Sequence, residues 1–190
     1  MKNILLIGAS SEAAKSLYKS YSEEYNFIRL SRNAEDSDVS KFDVQDSETY
    51  YTSELSYDGL VYFPGTINLK PFKNLKVEDF HNDFDINVVG LIKILKFYVP
   101  HFNEGCSMVF ISSLAGKVGL PFHSSISISK SAIVGLSKSL AAEFAPDYRV
   151  NCISPSLFKS KMSSRFLRNE ESQERLRNNN PLKKIGSTED

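Results

Sequence analysis

A glycine-containing turn near the N-terminus has the residue types that bind phosphate. Residues 8–11 (Gly-Ala-Ser-Ser) follow a short apolar run at 4–7 and precede a helix-compatible stretch at 12–20. In such a strand-turn-helix unit, backbone N–H groups and the helix dipole can receive a dinucleotide phosphate. The same residues also suit an ordinary turn in which Ser10 or Ser11 caps the helix. The turn alone therefore leaves both interpretations open.

The elements that must position this turn alternate along the chain. Strand-like apolar segments follow the first run at residues 27–30, 59–63, 108–111 and 149–153. Helical patterns cover residues 77–85, 87–102, 127–144 and 163–180. Continuous apolar strands are typical of a sheet covered on both faces, and their alternation with helices predicts parallel pairing. The predicted fold is α/β, a doubly wound, Rossmann-type parallel sheet with helices on both faces.

Composition limits the classes of function. The chain has 190 residues, 41% of them hydrophobic, which suffices for one core, and neither a linker nor a repeat is visible, so a single domain over residues 1–190 is expected. Lys plus Arg and Asp plus Glu both number 23, without a basic cluster, which gives no support to a nucleic-acid or membrane partner. The opening apolar run is too short for a signal peptide or a membrane span, so a cytoplasmic protein is expected.

The two cysteines do not form a recognisable metal or disulfide motif. Cys106 and Cys152 stand alone, without CxxC spacing, beside or within apolar runs. Buried free thiols are therefore expected, and no metal site is predicted.

Three segments carry a resemblance to a known family. They are residues 111–119 (ISSLAGKVG), 130–143 (KSAIVGLSKSLAAE) and 149–155 (RVNCISP). Together with the turn at 8–11, Asp43-Val44, Gly65 and residues 87–90 (NVVG), they resemble the short-chain dehydrogenase/reductase family in order and spacing. The resemblance spans essentially the whole chain.

The resemblance implies an oxidoreductase site. In the family a serine orients the substrate carbonyl, a lysine supports the catalytic tyrosine and holds the ribose, and an asparagine anchors a proton-relay water, while hydride passes to or from nicotinamide. The matching positions are Ser113, Lys130 and Asn87, and the tyrosine position holds Ile126. The implied cofactor-binding residues are Gly8, Ser10, Ser11, Arg32, Asp43, Val44, Gly65, Lys130, Pro155 and Ser160.

Each catalytic assignment has a structural alternative. Asn87 also suits a helix N-cap, Ser113 a turn at a strand end and Lys130 a solvated helix position. An isoleucine exchanges no proton, so the standard mechanism cannot run unchanged at Ile126. His123, three residues earlier, is a possible substitute acid because imidazole titrates near neutral pH, although an exposed loop histidine is the alternative.

The cofactor side departs from the family in two ways. Glu12 and Ala14 stand where the family usually has its second and third glycines, and a carboxylate beside a pyrophosphate would repel it unless it turns outward. Ser31 replaces the acidic residue of NAD-preferring relatives and Arg32 follows it, which favours NADP over NAD. The stretch between Arg32 and Asp43 is too short for a full crossover helix, so an open adenosine side is expected.

The C-terminal residues 181–190 resemble the segment that in relatives leads into one more helix and the last edge strand. The sheet is therefore expected to lack that strand and to expose an edge that a homo-oligomer, a dimer or a tetramer, would cover.

Three functions remain open. The first is an NADP-dependent oxidoreductase of a carbonyl or alcohol that uses Ser113, Lys130 and Asn87, with His123 or water as acid. The second is a catalytically impaired, dinucleotide-binding or regulatory subunit, and the third a structural partner in a hetero-oligomer. The substrate is not indicated beyond an apolar lining suggested by Leu120, Phe122 and Phe158.

Overall fold

A six-stranded parallel sheet forms the centre of the protein. The computed structural model describes residues 1–34, 36–51 and 53–190. The strands are β1 (Lys2–Ile7), β2 (Tyr25–Ser31), β3 (Val39–Lys41), β4 (Tyr57–Tyr62), β5 (Phe102–Ile111) and β6 (Arg149–Ile153). Their order is β3-β2-β1-β4-β5-β6, and every pair is parallel. The order reverses between β1 and β4, where doubly wound sheets open a crevice at their carboxyl ends.

Five α-helices accompany the sheet in the described residues. They are α1 (Glu12–Tyr21), α2 (Val77–Phe84), α3 (Gly90–Tyr98), α4 (Ser124–Glu143) and α5 (Glu170–Asn178). A π-helical turn, Asp85–Val89, joins α2 to α3. None of the helices in the part of the chain that the structure describes is long and apolar enough to span a membrane.

Apolar side chains bury both faces of the sheet, which confirms the predicted architecture. One face carries the larger core, in which strand residues such as Leu60 and Phe110 pack with Leu91, Ile94 and Ile133 of the helices. The other face carries a smaller cluster of Leu6, Ala9, Ala14 and Val39, packed beneath α1. Burial on both faces explains why the strands read as continuous apolar runs.

Several predicted boundaries were wrong. Phe102 was assigned to a helix, but it begins β5, because the pairing with β4 extends past a register shift to Tyr57. The predicted helix at 163–180 begins only at Glu170, where the Asn169 side chain caps it by accepting from the N–H of Ser172. The three-residue strand β3 was not predicted, because so short a segment shows no periodicity.

The connection between β2 and β3 is short, as expected, and contains no helix in its described residues; Glu35 lies outside them. Arg29 on β2 fastens this connection. Its guanidinium pairs with Asp36 at 3.0 Å and Asp38 at 2.5 Å, and lies 4.0 Å from the centre of the Tyr18 ring. A buried arginine therefore does the anchoring that a crossover helix would otherwise do by packing.

Candidate active site

Two adjoining cavities lie at the carboxyl ends of the strands. The first, of about 270 Å³, is lined by Lys130, Ser113, Ile126 and their neighbours, and we call it the Lys130 cavity. The second, of about 410 Å³, is lined by Gly8, Arg32, Asp43 and their neighbours, and we call it the Arg32 cavity. The residues common to both, here called the waist, are Ser11, Glu12, Phe63, Gly65, Thr66 and Met162.

Lys130 and Asn87 converge on Gly65. A Cβ atom added at Gly65 would lie 2.9 Å from Asn87 Oδ1 and 3.0 Å from Lys130 Nζ. Lys130 is only 7% exposed, and its Nζ donates a hydrogen bond to the carbonyl of Ile111 at 3.0 Å. Burial lowers the pKa of Lys130 to about 8, an effect that Cys152 and Asp83 partly oppose. A solvated helix lysine, the alternative from the sequence, is thereby excluded.

Asn87 is fully buried in the π-helical turn and has an unused acceptor. Its Nδ2 donates to the Asp83 carbonyl at 2.7 Å and to Thr66 Oγ1 at 2.8 Å. Its Oδ1 has no hydrogen-bond partner. An orphaned buried acceptor requires an explanation such as a ligand or a water. Asn87 itself lines neither cavity, but its Oδ1 lies beside Gly65, which lines both. Asn87 is not a helix N-cap, because it lies inside continuous helical backbone.

Asp83 is a site residue that the sequence analysis missed. Its carboxylate is 3% exposed and accepts hydrogen bonds from the hydroxyls of Thr66 and Ser125. It thereby connects α2, α4 and the segment after β4. The available signal was its spacing: Asp83 precedes Asn87 by four residues, which places both on one helix face.

Ser113, Ile126 and His123 all line the Lys130 cavity. Ser113 caps the short 3₁₀ turn Leu114–Gly116, and its Oγ accepts from the Ala115 N–H at 3.1 Å. Ile126 is 3% exposed. His123 Nδ1 lies 2.6 Å from the Pro121 carbonyl. Because a carbonyl only accepts, Nδ1 carries the hydrogen, and Nε2 is left to exchange a proton.

The turn at the start of α1 has a fixed backbone. Gly8 has φ +82°, and a Cβ there would lie 3.0 Å from Phe63 Cβ and from Pro64 Cδ, so only glycine fits. Ser11 is the N-cap, and its Oγ accepts from the Ala14 N–H at 3.3 Å. The capping alternative is therefore realised, and it is compatible with an anion at the same helix terminus.

The residues that the resemblance implies for the adenosine half of a cofactor line the Arg32 cavity. Arg32 is exposed, and the neighbouring Ser31 is buried with its Oγ 2.7 Å from Ser10 Oγ. Asp43 and Val44 line the same cavity.

The remaining residues implied by the resemblance lie on the opposite wall. Pro155 and Ser160 line the Lys130 cavity; the Pro155 carbonyl accepts from the Leu114 N–H at 2.9 Å. Leu120 and Phe158 contribute to the apolar lining, as expected. Phe122 does not line the cavity: its backbone has φ +67°, and its side chain is 57% exposed, so that expectation was wrong.

Glu12 crosses the waist. It is the first residue of α1, and its Oε1 accepts a hydrogen bond from the backbone N–H of Lys161 at 2.8 Å. The half-buried carboxylate is thereby bonded to the loop after β6.

Both cysteines are free; Cys106 is buried and Cys152 half-buried, and burial raises the pKa of Cys106 to about 12. Among the described residues, no group of three His, Cys, Asp or Glu side chains could hold a metal ion.

The strand order and the cleft at the carboxyl ends of the strands define a doubly wound, Rossmann-type α/β protein. A family model described as enoyl-(acyl carrier protein) reductase matches residues 11–190. The chain belongs to the short-chain dehydrogenase/reductase family. This confirms the resemblance seen in the sequence.

Two relatives show how much of such a protein the chain covers. Tropinone reductase-like 3 of Erythroxylum coca is 36% identical over 107 residues, which are 56% of this chain and 42% of that protein. Dehydrogenase/reductase SDR family member 4 of Mus musculus is 29% identical over 154 residues, 77% of this chain and 55% of that protein. The chain thus spans about half the length of these relatives.

Solved structures share the fold over nearly the whole chain. Aldohexose dehydrogenase of Thermoplasma acidophilum has a TM-score of 0.87 at 22% identity. The match covers 98% of this chain and 82% of the aldohexose dehydrogenase chain. A 4-hydroxyisoleucine dehydrogenase complexed with NADH has a TM-score of 0.88 at 22% identity. That match covers 100% of this chain and 87% of the dehydrogenase chain. At this identity the likeness establishes the fold.

Proposed function

We propose that this protein is an NADP-dependent oxidoreductase that transfers hydride between nicotinamide and a carbonyl or alcohol substrate. The observation that carries the proposal is the convergence of Lys130 Nζ and the unpaired Asn87 Oδ1 at Gly65, a residue that lines the same cavity as Ser113. A cation and an acceptor held beside a hydroxyl and a cleft are the groups that bind a ribose and polarise a carbonyl.

The residues present fit a dinucleotide, with one exception. The Gly8 turn and the start of α1 would hold the phosphates, Asp43 and Val44 the adenine side, and Lys130 the nicotinamide ribose. Structures of the same fold are described with NADP, with NADPH and with NADH, so the fold leaves the choice open. Arg32 beside Ser31 supports NADP. The exception is Glu12, whose negative charge opposes a diphosphate.

Side chains of this protein would orient the substrate, stabilise its developing charge and transfer the proton. When bound, nicotinamide supplies or accepts the hydride. Ser113 orients the carbonyl oxygen, and the Lys130 ammonium, which is protonated at neutral pH because its pKa is about 8, stabilises negative charge on that oxygen. Ile126 moves no proton, so in the reduction direction a water, or His123 as the imidazolium through its Nε2–H, must supply it. Loss of a positioned acid typically costs about 10²- to 10⁴-fold in rate.

Restoring the missing phenol tests this proposal. Ile126→Tyr places a hydroxyl in the Lys130 cavity, while Ile126→Phe adds similar bulk without it. We expect Ile126→Tyr to raise NADPH oxidation with a panel of aldehydes and ketones by tenfold or more, and Ile126→Phe to bring no gain. Equal rates for the wild type and both variants would contradict a competent site.

Equal rates would favour a second function, a catalytically impaired subunit that binds a dinucleotide or regulates a partner. The observation that favours it is the buried, apolar Ile126, which lines the same cavity as Ser113 and Lys130 and can exchange no proton there. A structural role in a hetero-oligomer is the third candidate, and it would require that no dinucleotide binds at all.

Several properties of the whole protein remain predictions. They are a single domain over residues 1–190, a cytoplasmic location and a homo-oligomer, either a dimer or a tetramer. Light scattering of the purified protein measures the oligomeric state directly, and a monomer at all concentrations would contradict the last of these.

A further inference from the structure

The waist is where a bound dinucleotide must cross from one cavity to the other. NADP is longer than either cavity alone, so its adenosine and nicotinamide halves would lie on opposite sides of the waist. Of the six waist residues, only Glu12 carries a charge at neutral pH. The sign of that charge is the same as that of the diphosphate that joins the two halves.

Glu12 already makes contacts of the kind that a phosphate makes. Its carboxylate lies at the first residue of α1, where the helix dipole and unused N–H groups attract anions. It also accepts a backbone N–H at 2.8 Å from Lys161, which follows β6 and lines the Arg32 cavity. One side-chain anion therefore joins the α1 terminus to the loop after β6 across the path between the cavities.

We propose that Glu12 is an internal competitor of the diphosphate and sets the affinity of the cleft for dinucleotides. A dinucleotide binds only when the hydrogen bond between Glu12 and Lys161 opens and the carboxylate leaves the waist. This inference rests on the proposed function, because it assumes that the cleft takes NADP. A ligand confined to the Arg32 cavity, such as adenosine 2′-monophosphate, has no diphosphate and binds without opening that bond.

Calorimetric titration with NADPH and with adenosine 2′-monophosphate tests the proposal. The proteins are the wild type, Glu12→Gln, Glu12→Gly and the control Glu171→Gln. Glu171 is an exposed glutamate in the first turn of α5, so its change removes the same charge from another helix start. Thermal unfolding of each variant establishes that it is folded.

We expect both Glu12 variants to bind NADPH at least tenfold more tightly than the wild type. Their affinity for adenosine 2′-monophosphate should stay within about twofold, and the control should match the wild type for both ligands. Equal NADPH affinity of the wild type and both Glu12 variants would overturn the inference and leave the proposed function standing. An equal gain for both ligands would also overturn it, because the effect would then be a general loss of repulsion.

If the cleft does not bind a dinucleotide at all, the titrations give a different result. In that case none of the four proteins binds either ligand, and the inference falls with the function on which it rests. Binding of NADPH by the Glu12 variants and not by the wild type would support both.

Discussion

The two cavities are built in different ways. Around the Lys130 cavity, buried polar side chains on α2, α4 and the π-helical turn hold one another through Asp83, Thr66, Ser125 and Asn87. Around the Arg32 cavity, the Arg32 side chain is exposed, and the connection from β2 to β3 is a short loop. Ile126, which the resemblance matches to the family's tyrosine position, lines the cavity with the buried polar network. The polar frame of the site therefore does not depend on the residue at position 126.

Asp83→Ala is the change expected to have the largest effect on that frame. It leaves the hydroxyls of Thr66 and Ser125 without their acceptor and removes a buried anion that favours the Lys130 ammonium. We expect a loss of about 3 kcal/mol in the free energy of unfolding, measured by urea denaturation.

The matched control for Asp83 is Asp85→Ala, at an exposed position two residues away. A surface change of this kind should stay within about 0.5 kcal/mol. A similar loss in the free energy of unfolding for both variants would show that the buried network around Asp83 does not stabilise the walls of the Lys130 cavity.

The second prediction concerns the dependence of stability on pH. Burial lowers the pKa of Lys130 from 10.5 to about 8. Between these values the unfolded chain holds a proton that the folded protein has released, so rising pH favours folding. The wild type should gain roughly 2 kcal/mol between pH 7.5 and pH 9.5 relative to Lys130→Met.

The comparison with Lys130→Met is needed because other groups titrate in the opposite sense. The raised pKa of Cys106 makes the folded state less stable as pH rises from 9 towards 12, in both proteins alike. Parallel stability curves for the wild type and the variant would mean that Lys130 is not buried as described.

A pair of glycine substitutions gives the smallest effects and a difference in sign. Gly65→Ala brings a Cβ to 2.9 Å from the buried Asn87 Oδ1, whereas Gly135→Ala meets nothing within 4 Å in the middle of α4. We expect Gly65→Ala to destabilise by about 1 kcal/mol and Gly135→Ala to stabilise by about 0.5 kcal/mol. Thermal and urea unfolding measure both, and stabilisation by Gly65→Ala would contradict a tight approach at Gly65.

The sequence predicted the architecture because buried parallel strands are long apolar runs. The fixed spacing of the family motifs singled out Ser113, Lys130 and Gly65, which line one cavity, while their roles stay predictions. It could not predict that Glu12 accepts a hydrogen bond from Lys161, since Lys161 is 149 residues away in the chain. It also missed Asp83, because a single carboxylate within an amphipathic helix resembles a solvated residue. Phe122 was misplaced because the apolar pattern does not reveal a backbone with positive φ.

The most direct test of the account is titration of the wild type and Glu12→Gly with NADPH and with NADH at one salt concentration. We predict saturable binding in which each protein prefers NADPH at least tenfold, and an Arg32→Ala change in the same background should remove that preference. The absence of saturable binding of either dinucleotide to either protein would contradict the account that this cleft is a nicotinamide cofactor site.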